Sequence, residues 1–363
     1  MSTIKVSAIK NASSSDGGIA IDASGHVQVD GQQLPTAGPL SNRNLVINGA
    51  MNVAQRGTSS TSSGLNTVDR FGGHWSQGAV TQTQEDLTTG SPFDSGFSHF
   101  FRLKNTTAST TAATYREITY KFEGQVIGNS GWTYKSSSSY ITLSFWARAS
   151  VAQDYYVFVE SKVSGNRIYT FPVTLAADTW TYVTETIPGD SSMSVGNDAS
   201  LGFIVDFVPF YGTTYTGSSN TDRTWRNRSG TEDFMLDMTN TWANTTNATF
   251  DITGVQLEVG EKATPFEHRN HGEELASCQR YYEVLRAGGG MYWGSGNVCG
   301  SATYKVQKRT TPSSVTTSSI HYEYPSSSTW NAFTITATGF GVQRSASTTF
   351  VIVDATWNVN AEL

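Results

Sequence analysis

Two groups of aromatic residues near the carboxyl end carry the most suggestive chemistry. Tyr292 and Trp293 sit among Gly288, Gly289, Gly290, Gly294 and Gly296, with Asn297 just beyond. Tyr322, Tyr324 and Trp330, with His321 and Asn331, lie in or beside the serine run 326–328. Flat rings next to amides and hydroxyls suit a sugar, because ring faces cover its C–H groups while fixed polar atoms meet its hydroxyls. The surrounding glycines and serines predict loops rather than period-two strands. Tyr292, Trp293, Asn297, Tyr322, Tyr324, Trp330 and Asn331 are therefore the candidate glycan-binding residues. Ordinary packing or contact between subunits is the competing reading for each.

Other chemistries find less support. Trp225 with Arg223, Arg226 and Arg228 would clasp an acidic sugar, or else form a solvated loop or a subunit contact. Trp75, Trp132, Trp146 and Trp180 fall in or near predicted strands and read as core. Glycoside hydrolysis needs two carboxyls facing each other across a cleft, one of them with a raised pKa. The pairs Glu85-Asp86, Glu232-Asp233 and Glu273-Glu274 are only adjacent, and strand neighbours point to opposite faces. No nucleophile elbow, zinc-protease helix or phosphate loop occurs, so no enzyme is expected. His268 and His271 lack a third ligand, so no metal or other cofactor is expected; Asp side chains and backbone oxygens still leave room for a structural calcium.

The elements that must position these residues are set by an uncharged, polar chain. Its 363 residues suggest two or three domains. Only 15% of them are charged, 12% are aromatic, and 44 serines and 48 threonines make up a quarter of the whole. The net charge of −6, with no Lys/Arg cluster longer than a pair, argues against nucleic acid and anionic membranes. The apolar run 201–210 is broken by Asp206 and Pro209, which excludes a membrane span there, and residues 1–10 lack the apolar stretch of a secretory signal. Cys278 and Cys299 cannot form a disulfide framework and read as free thiols rather than as one bridge.

Residues 1–40 alternate Ile19, Ile21, Val27 and Val29 about Gly25, which predicts a hairpin too small to fold without copies of itself or a partner. From 41 to 269, period-two sets recur: Ile141, Leu143, Phe145 and Ala147, then Leu201, Phe203, Val205 and Phe207, then Val255, Leu257 and Val259. Strands without interleaved helices imply antiparallel sheets in a jelly-roll β-sandwich. Asn270 with Glu273 resembles a capping box, and Leu275, Cys278, Tyr282 and Leu285 share a helical face, predicting a linking helix over 270–286. Residues 287–363 then form a small β-domain, with predicted strands at 333–338 and 350–359. The expected fold class is all-β: hairpin segment, large antiparallel sandwich, short helix and β tip.

Several stretches resemble one family. Asn44-Leu45-Val46-Ile47-Asn48-Gly49, then Gln55-Arg56-Gly57-Thr58 and Asp69-Arg70-Phe71, resemble the opening of the carbohydrate-binding-like sandwich in tailed-bacteriophage tail fibres and receptor-binding proteins. Val255-Gln256-Leu257-Glu258-Val259-Gly260, Ala263-Thr264-Pro265-Phe266-Glu267, Glu274-Leu275-Ala276 and Cys278-Gln279-Arg280-Tyr281-Tyr282 are similar to the end of such domains and the helix behind them. The resemblance brackets residues 44–285, and the final Ala361-Glu362-Leu363 is similar as well. It implies a homotrimeric virion protein, assembled in the host cytoplasm and acting at the host surface. Residues 1–40 would bind a tail or baseplate protein, and the tip would adhere reversibly to bacterial polysaccharide or lipopolysaccharide. The alternatives are a capsule or lipopolysaccharide depolymerase, acting as hydrolase or lyase, and a carbohydrate-binding decoration or baseplate protein.

Overall fold

The computed structural model describes residues 8–9, 18–21, 27–29, 32–33, 42–163, 165–289, 296–324, 331–346 and 352–363. The first strands, β1 (Ala8–Ile9), β2 (Ile19–Ile21), β3 (Val27–Val29) and β4 (Gln32–Gln33), form one antiparallel sheet in chain order. Ile19 pairs with Val29 and Ile21 with Val27, the hairpin that the alternation predicted. Ile9, Ile19 and Ile21 remain exposed.

The sandwich is built from β5 (Ser59–Ser60), β6 (Phe71–Ser76), β7 (Ala79–Asp86), β8 (His99–Thr107), β9 (Tyr115–Glu123), β10 (Tyr140–Ala149), β11 (Gln153–Ser161), β12 (Arg167–Leu175), β13 (Thr181–Pro188), β14 (Leu201–Tyr211), β15 (Arg226–Asn227) and β16 (Thr249–Val259). One six-stranded sheet runs β13-β10-β16-β8-β7-β5 and the other β15-β12-β11-β14-β9-β6. Neighbouring strands in both are antiparallel, as expected.

Period-two alternation decides which side chains face inward. Ile118, Tyr120 and Phe122 of β9 meet Phe203, Val205 and Phe207 of β14 in one core, opposite Ile141, Leu143 and Phe145 of β10. Rings interdigitate between the sheets, Phe145 with Phe207 at 4.9 Å and Tyr155 with Phe250 at 5.2 Å. Three short helices, α1 (Ser91–Asp94), α2 (Gly124–Gly128) and α3 (Thr241–Asn244), lie in the connections.

Helix α4 (His271–Gln279) starts as predicted, with the Asn270 side chain accepting from the Glu273 amide at 2.9 Å. It does not reach 286. Residues 282–289 form strand β17 (Tyr282–Gly289), because register with a partner strand buries Leu285 against Trp357, and tertiary pairing overrides the local helical spacing. The tip therefore begins at Tyr282 rather than at 287.

Five more strands follow: β18 (Gly296–Thr303), β19 (Ser314–Tyr324), β20 (Asn331–Phe333), β21 (Gly339–Ala346) and β22 (Ile352–Asn360). They make two three-stranded sheets, β17-β22-β19 and β18-β21-β20, around Leu285, Phe340, Val342, Ala355, Trp357 and Val359. The predicted strand 333–338 stops at Phe333, where Thr334 takes a positive φ of 47°.

Buried charge holds the tip together and ties it to helix α4 and the sandwich. Lys308 and Glu283, both with fully buried side chains, pair at 2.5 Å, and Lys308 also donates to the carbonyl of Gln279 at the end of α4. Glu362 pairs with Arg70 and, at 3.3 Å, with Arg56. The Arg70 guanidinium lies 3.5 Å from the ring centre of Tyr281. Among the described residues, no helix is long and apolar enough to cross a membrane.

Candidate functional site

The outer face of the β15-β12-β11-β14-β9-β6 sheet holds a cleft of about 410 Å³. Alternation again selects its floor. The residues of β9 that point away from the core are Tyr115, Glu117, Thr119 and Lys121; β14 contributes Ile204 and Asp206, and β11 contributes Phe158 and Glu160. Register places Asp206 opposite Thr119 on one side and Phe158 on the other, and His74 opposite Glu117.

The segment 212–238 forms the wall. Arg226 donates to the carbonyls of Asp233 and Phe234, Thr170 donates to the carbonyl of Phe234 at 2.7 Å, and Asn220 donates to that of Met235 at 2.8 Å. These bonds set Tyr215 and Phe234 against Tyr115, Tyr211 and Phe158, with ring centres 5.3 to 5.6 Å apart for four of the pairs.

Charge within the cleft is unevenly matched. Glu160 is neutralised by Arg228 at 2.7 Å and Lys162 at 3.2 Å. Glu117 instead accepts from the Tyr211 hydroxyl and Asp206 from the Thr119 hydroxyl, both neutral donors. Burial is the largest influence on each and pushes both carboxyls up, Glu117 to about 7, while the hydroxyl bonds and Lys121 act against it. Neighbouring Glu117 and Glu160 add to the rise at Asp206. Burial, then Lys121, lowers His74 to about 4, so its imidazole is neutral near pH 7. The cleft thus offers ring faces, cations, a salt-bridged carboxylate and a pair of carboxyls whose pKa burial raises.

The structure distributes the sequence-predicted residues differently. Tyr292, Trp293 and Trp330 lie outside the described residues. Tyr322 and Tyr324 belong to strand β19, Asn297 to β18 and Asn331 to β20, so these four are on strands and not in loops. Pairing with β21 and β22 supplies the backbone partners that the Ser/Gly-rich composition did not reveal. Asn297 and Asn331 flank β21 at Ser345 and Gln343, and Asn331 is exposed, whereas Tyr322 and Tyr324 lie on the other sheet of the tip.

The arginine group around Trp225 is already committed. Trp225 is buried, and its indole donates to the carbonyl of Pro188 at 2.6 Å; Arg223 pairs with Glu185, and only Arg228 reaches the cleft. Trp132 is core as expected, but Trp75, Trp146 and Trp180 are only partly buried. His268 packs between Phe97 and Phe266, and among the described residues no group of three or more His, Cys, Asp or Glu is placed to hold a metal. Cys278 is a buried free thiol.

Sequence reasoning missed the cleft, although signals existed. Glu117, Thr119 and Lys121 alternate with Ile118, Tyr120 and Phe122, and Asp206 interrupts an apolar run. No family model matches the chain, and no curated protein does. Part of its backbone is similar, at low TM-scores, to solved structures. Tailspike protein 4 of bacteriophage CBA120, in its enzymatically active domain, gives 10% identity and a TM-score of 0.32 over 60% of this chain and 22% of that one. The family 11 carbohydrate-binding module of cellulase Lic26A-Cel5E from Clostridium thermocellum gives 11% and 0.28 over 56% and 96%. The CBM22-1 xylan-binding domain of Xyn10C from Paenibacillus barcinonensis gives 8% and 0.30 over 62% and 98%. The match thus spans about a fifth of the length of that tailspike domain.

Proposed function

We propose that this chain is a glycan-adhesion protein of a phage virion, a tail fibre or receptor-binding protein that holds a bacterial surface polysaccharide reversibly. The observation that carries the reading is the aromatic-walled, hydrogen-bonding cleft on the outer face of the β6-β9-β14-β11 strands. Tyr115 and Tyr215 supply half-buried ring faces, while Lys121, Lys162, Arg228 and the carboxyls supply directional donors and acceptors. On this reading residues 1–40 attach to the tail or baseplate, and three chains associate through their exposed isoleucines. Linked copies then raise a weak single-site affinity by about 10² to 10⁴.

Retention on immobilised host polysaccharide tests it. Tyr215→Ala and Lys162→Ala should each weaken retention about tenfold, the worth of one ring or one charged contact. Retention unchanged in both variants, and lost instead in Trp293→Ala or Trp330→Ala, would move the grip to the tip.

A second reading, hydrolysis, is favoured by one observation: Glu117 and Asp206 place two carboxyls with raised pKa in one cleft. Release of reducing ends from the same polysaccharide, abolished by Glu117→Gln, would establish it in place of reversible adhesion.

A further inference from the structure

We infer that the opposite face of the sandwich carries a second binding site, one that takes a neutral saccharide. A cleft of about 500 Å³ opens on the outer face of the β13-β10-β16 strands. Trp146 and Tyr182, directly opposed in register on β10 and β13, form one wall with ring centres 5.1 Å apart, and Tyr182 is 45% exposed. Phe97, Phe266 and His268 form the other, their rings 4.8 to 5.1 Å apart.

The backbone is shaped for this arrangement. Pairing of β10 with β16 slips between Ser144 and Trp146, and at the bulge Gly254 takes a φ of 63°. A Cβ there would stand 2.7 Å from Phe97 and 3.1 Å from the Trp146 ring. Only glycine lets both rings close over that strand without strain.

The lining chemistry selects the ligand. No Asp, Glu, Lys or Arg lines this cleft, so a charged sugar would find no counter-ion, in contrast to the cleft on the other sheet. Ser144 lines the cleft; although only 2% of the residue is exposed, its hydroxyl has no hydrogen-bond partner among the described residues and is open to the cleft. A hydroxyl donates one hydrogen bond and accepts others, so a ligand hydroxyl seated in the cleft would pair with it. His268, fixed with Nε2 3.3 Å from the carbonyl of Ser95, adds a polar edge to the aromatic wall. Ring faces, one unmatched hydroxyl and no net charge fit an uncharged hexose unit.

The site lies on a different sheet from the first cleft and does not depend on that reading. The experiment titrates the full chain with neutral tetrasaccharides of glucose, mannose, galactose and N-acetylglucosamine at up to about 1 mM, weak affinity being about 4 kcal/mol there. Binding is read by tryptophan fluorescence and calorimetry. At least one probe should bind with Tyr215→Ala leaving affinity unchanged, whereas Tyr182→Ala and Ser144→Val each weaken it about tenfold. Tyr182 is exposed enough that its truncation leaves the fold intact, which circular dichroism checks. The inference is overturned if no neutral probe binds, if Tyr215→Ala alone removes binding, or if Tyr182→Ala alters the oligomeric mass and not the affinity, since the face would then be an interface between copies. Failure here leaves retention through the first cleft unaffected.

Discussion

Asp206 lies in β14 between Val205 and Phe207, two side chains that face the core, and its carboxyl emerges on the opposite side to meet Thr119 from a strand 87 residues earlier. Its intrusion into an apolar run was legible. Its partners were not, because register between distant strands is set by tertiary pairing. Glu117 makes the consequence measurable. Its folded pKa of about 7 exceeds its ordinary 4.5, so the folded chain keeps a proton that the unfolded chain releases. The stability this contributes is complete below about pH 4.5 and is lost as pH rises through about 7. Asp69, raised to about 6 chiefly by burial, acts in the same direction, while lowered His74 acts oppositely as pH falls from 6.5. The melting temperature of Glu117→Gln minus that of the wild type reads Glu117 and Asp206 as an interacting pair and should climb between pH 4.5 and 7; a flat difference would mean the pair is not shifted. Burial likewise pushes the Cys278 thiol up, so in a Cys299→Ser background a disulfide reagent should label the chain only after unfolding.

Strands of the sandwich were legible where one face is apolar and the other polar, as in 141–147 and 201–207. The order in which they pair was not, nor was the return of 212–238 across the outer face, since loop composition carries no address. The helix–strand confusion at 282–289 has a specific cause. Tyr282 and Leu285, three apart, fit a helical face as well as they fit the strand that Trp357 and Asn360 pair with. Close backbone contacts are equally silent in composition. A Cβ on Gly202 of β14 would fall 2.4 Å from the Cα of Gly124 in α2 and 2.2 Å from the carbonyl oxygen of Val195. Gly202→Ala should therefore cost about 1–3 kcal/mol, read as a lowered urea midpoint with unchanged slope. Within the tip, Lys308→Met would strand Glu283 without its cation, at a cost of about 3–5 kcal/mol in the same assay.

The whole molecule adds a constraint that no single domain shows. The last residues leave the tip and return to the sandwich: the amide of Ala361 donates to the carbonyl of Tyr281, Glu362 meets Arg70, and Lys121 donates to Leu363 at 3.0 Å. Glu362→Gln should lower stability by about 3 kcal/mol, because Arg70 is 2% exposed and would lose its counter-charge. A second melting transition for the tip should then separate from the first in calorimetry, whereas the wild type is expected to unfold in one. Light scattering on the full chain checks the proposed association, with three times the monomer mass expected.

This return closes the path of the chain on itself. The distal unit is pinned at its entrance by Tyr281 and at its exit by Glu362, two points on one small patch around Arg70. A body held at both ends of its backbone cannot swivel as one hung from a single tether can. If the chain adheres as proposed, drag on the particle that carries it would be delivered as torque to that patch, and the tip would keep its angle to the sandwich while the particle is pulled.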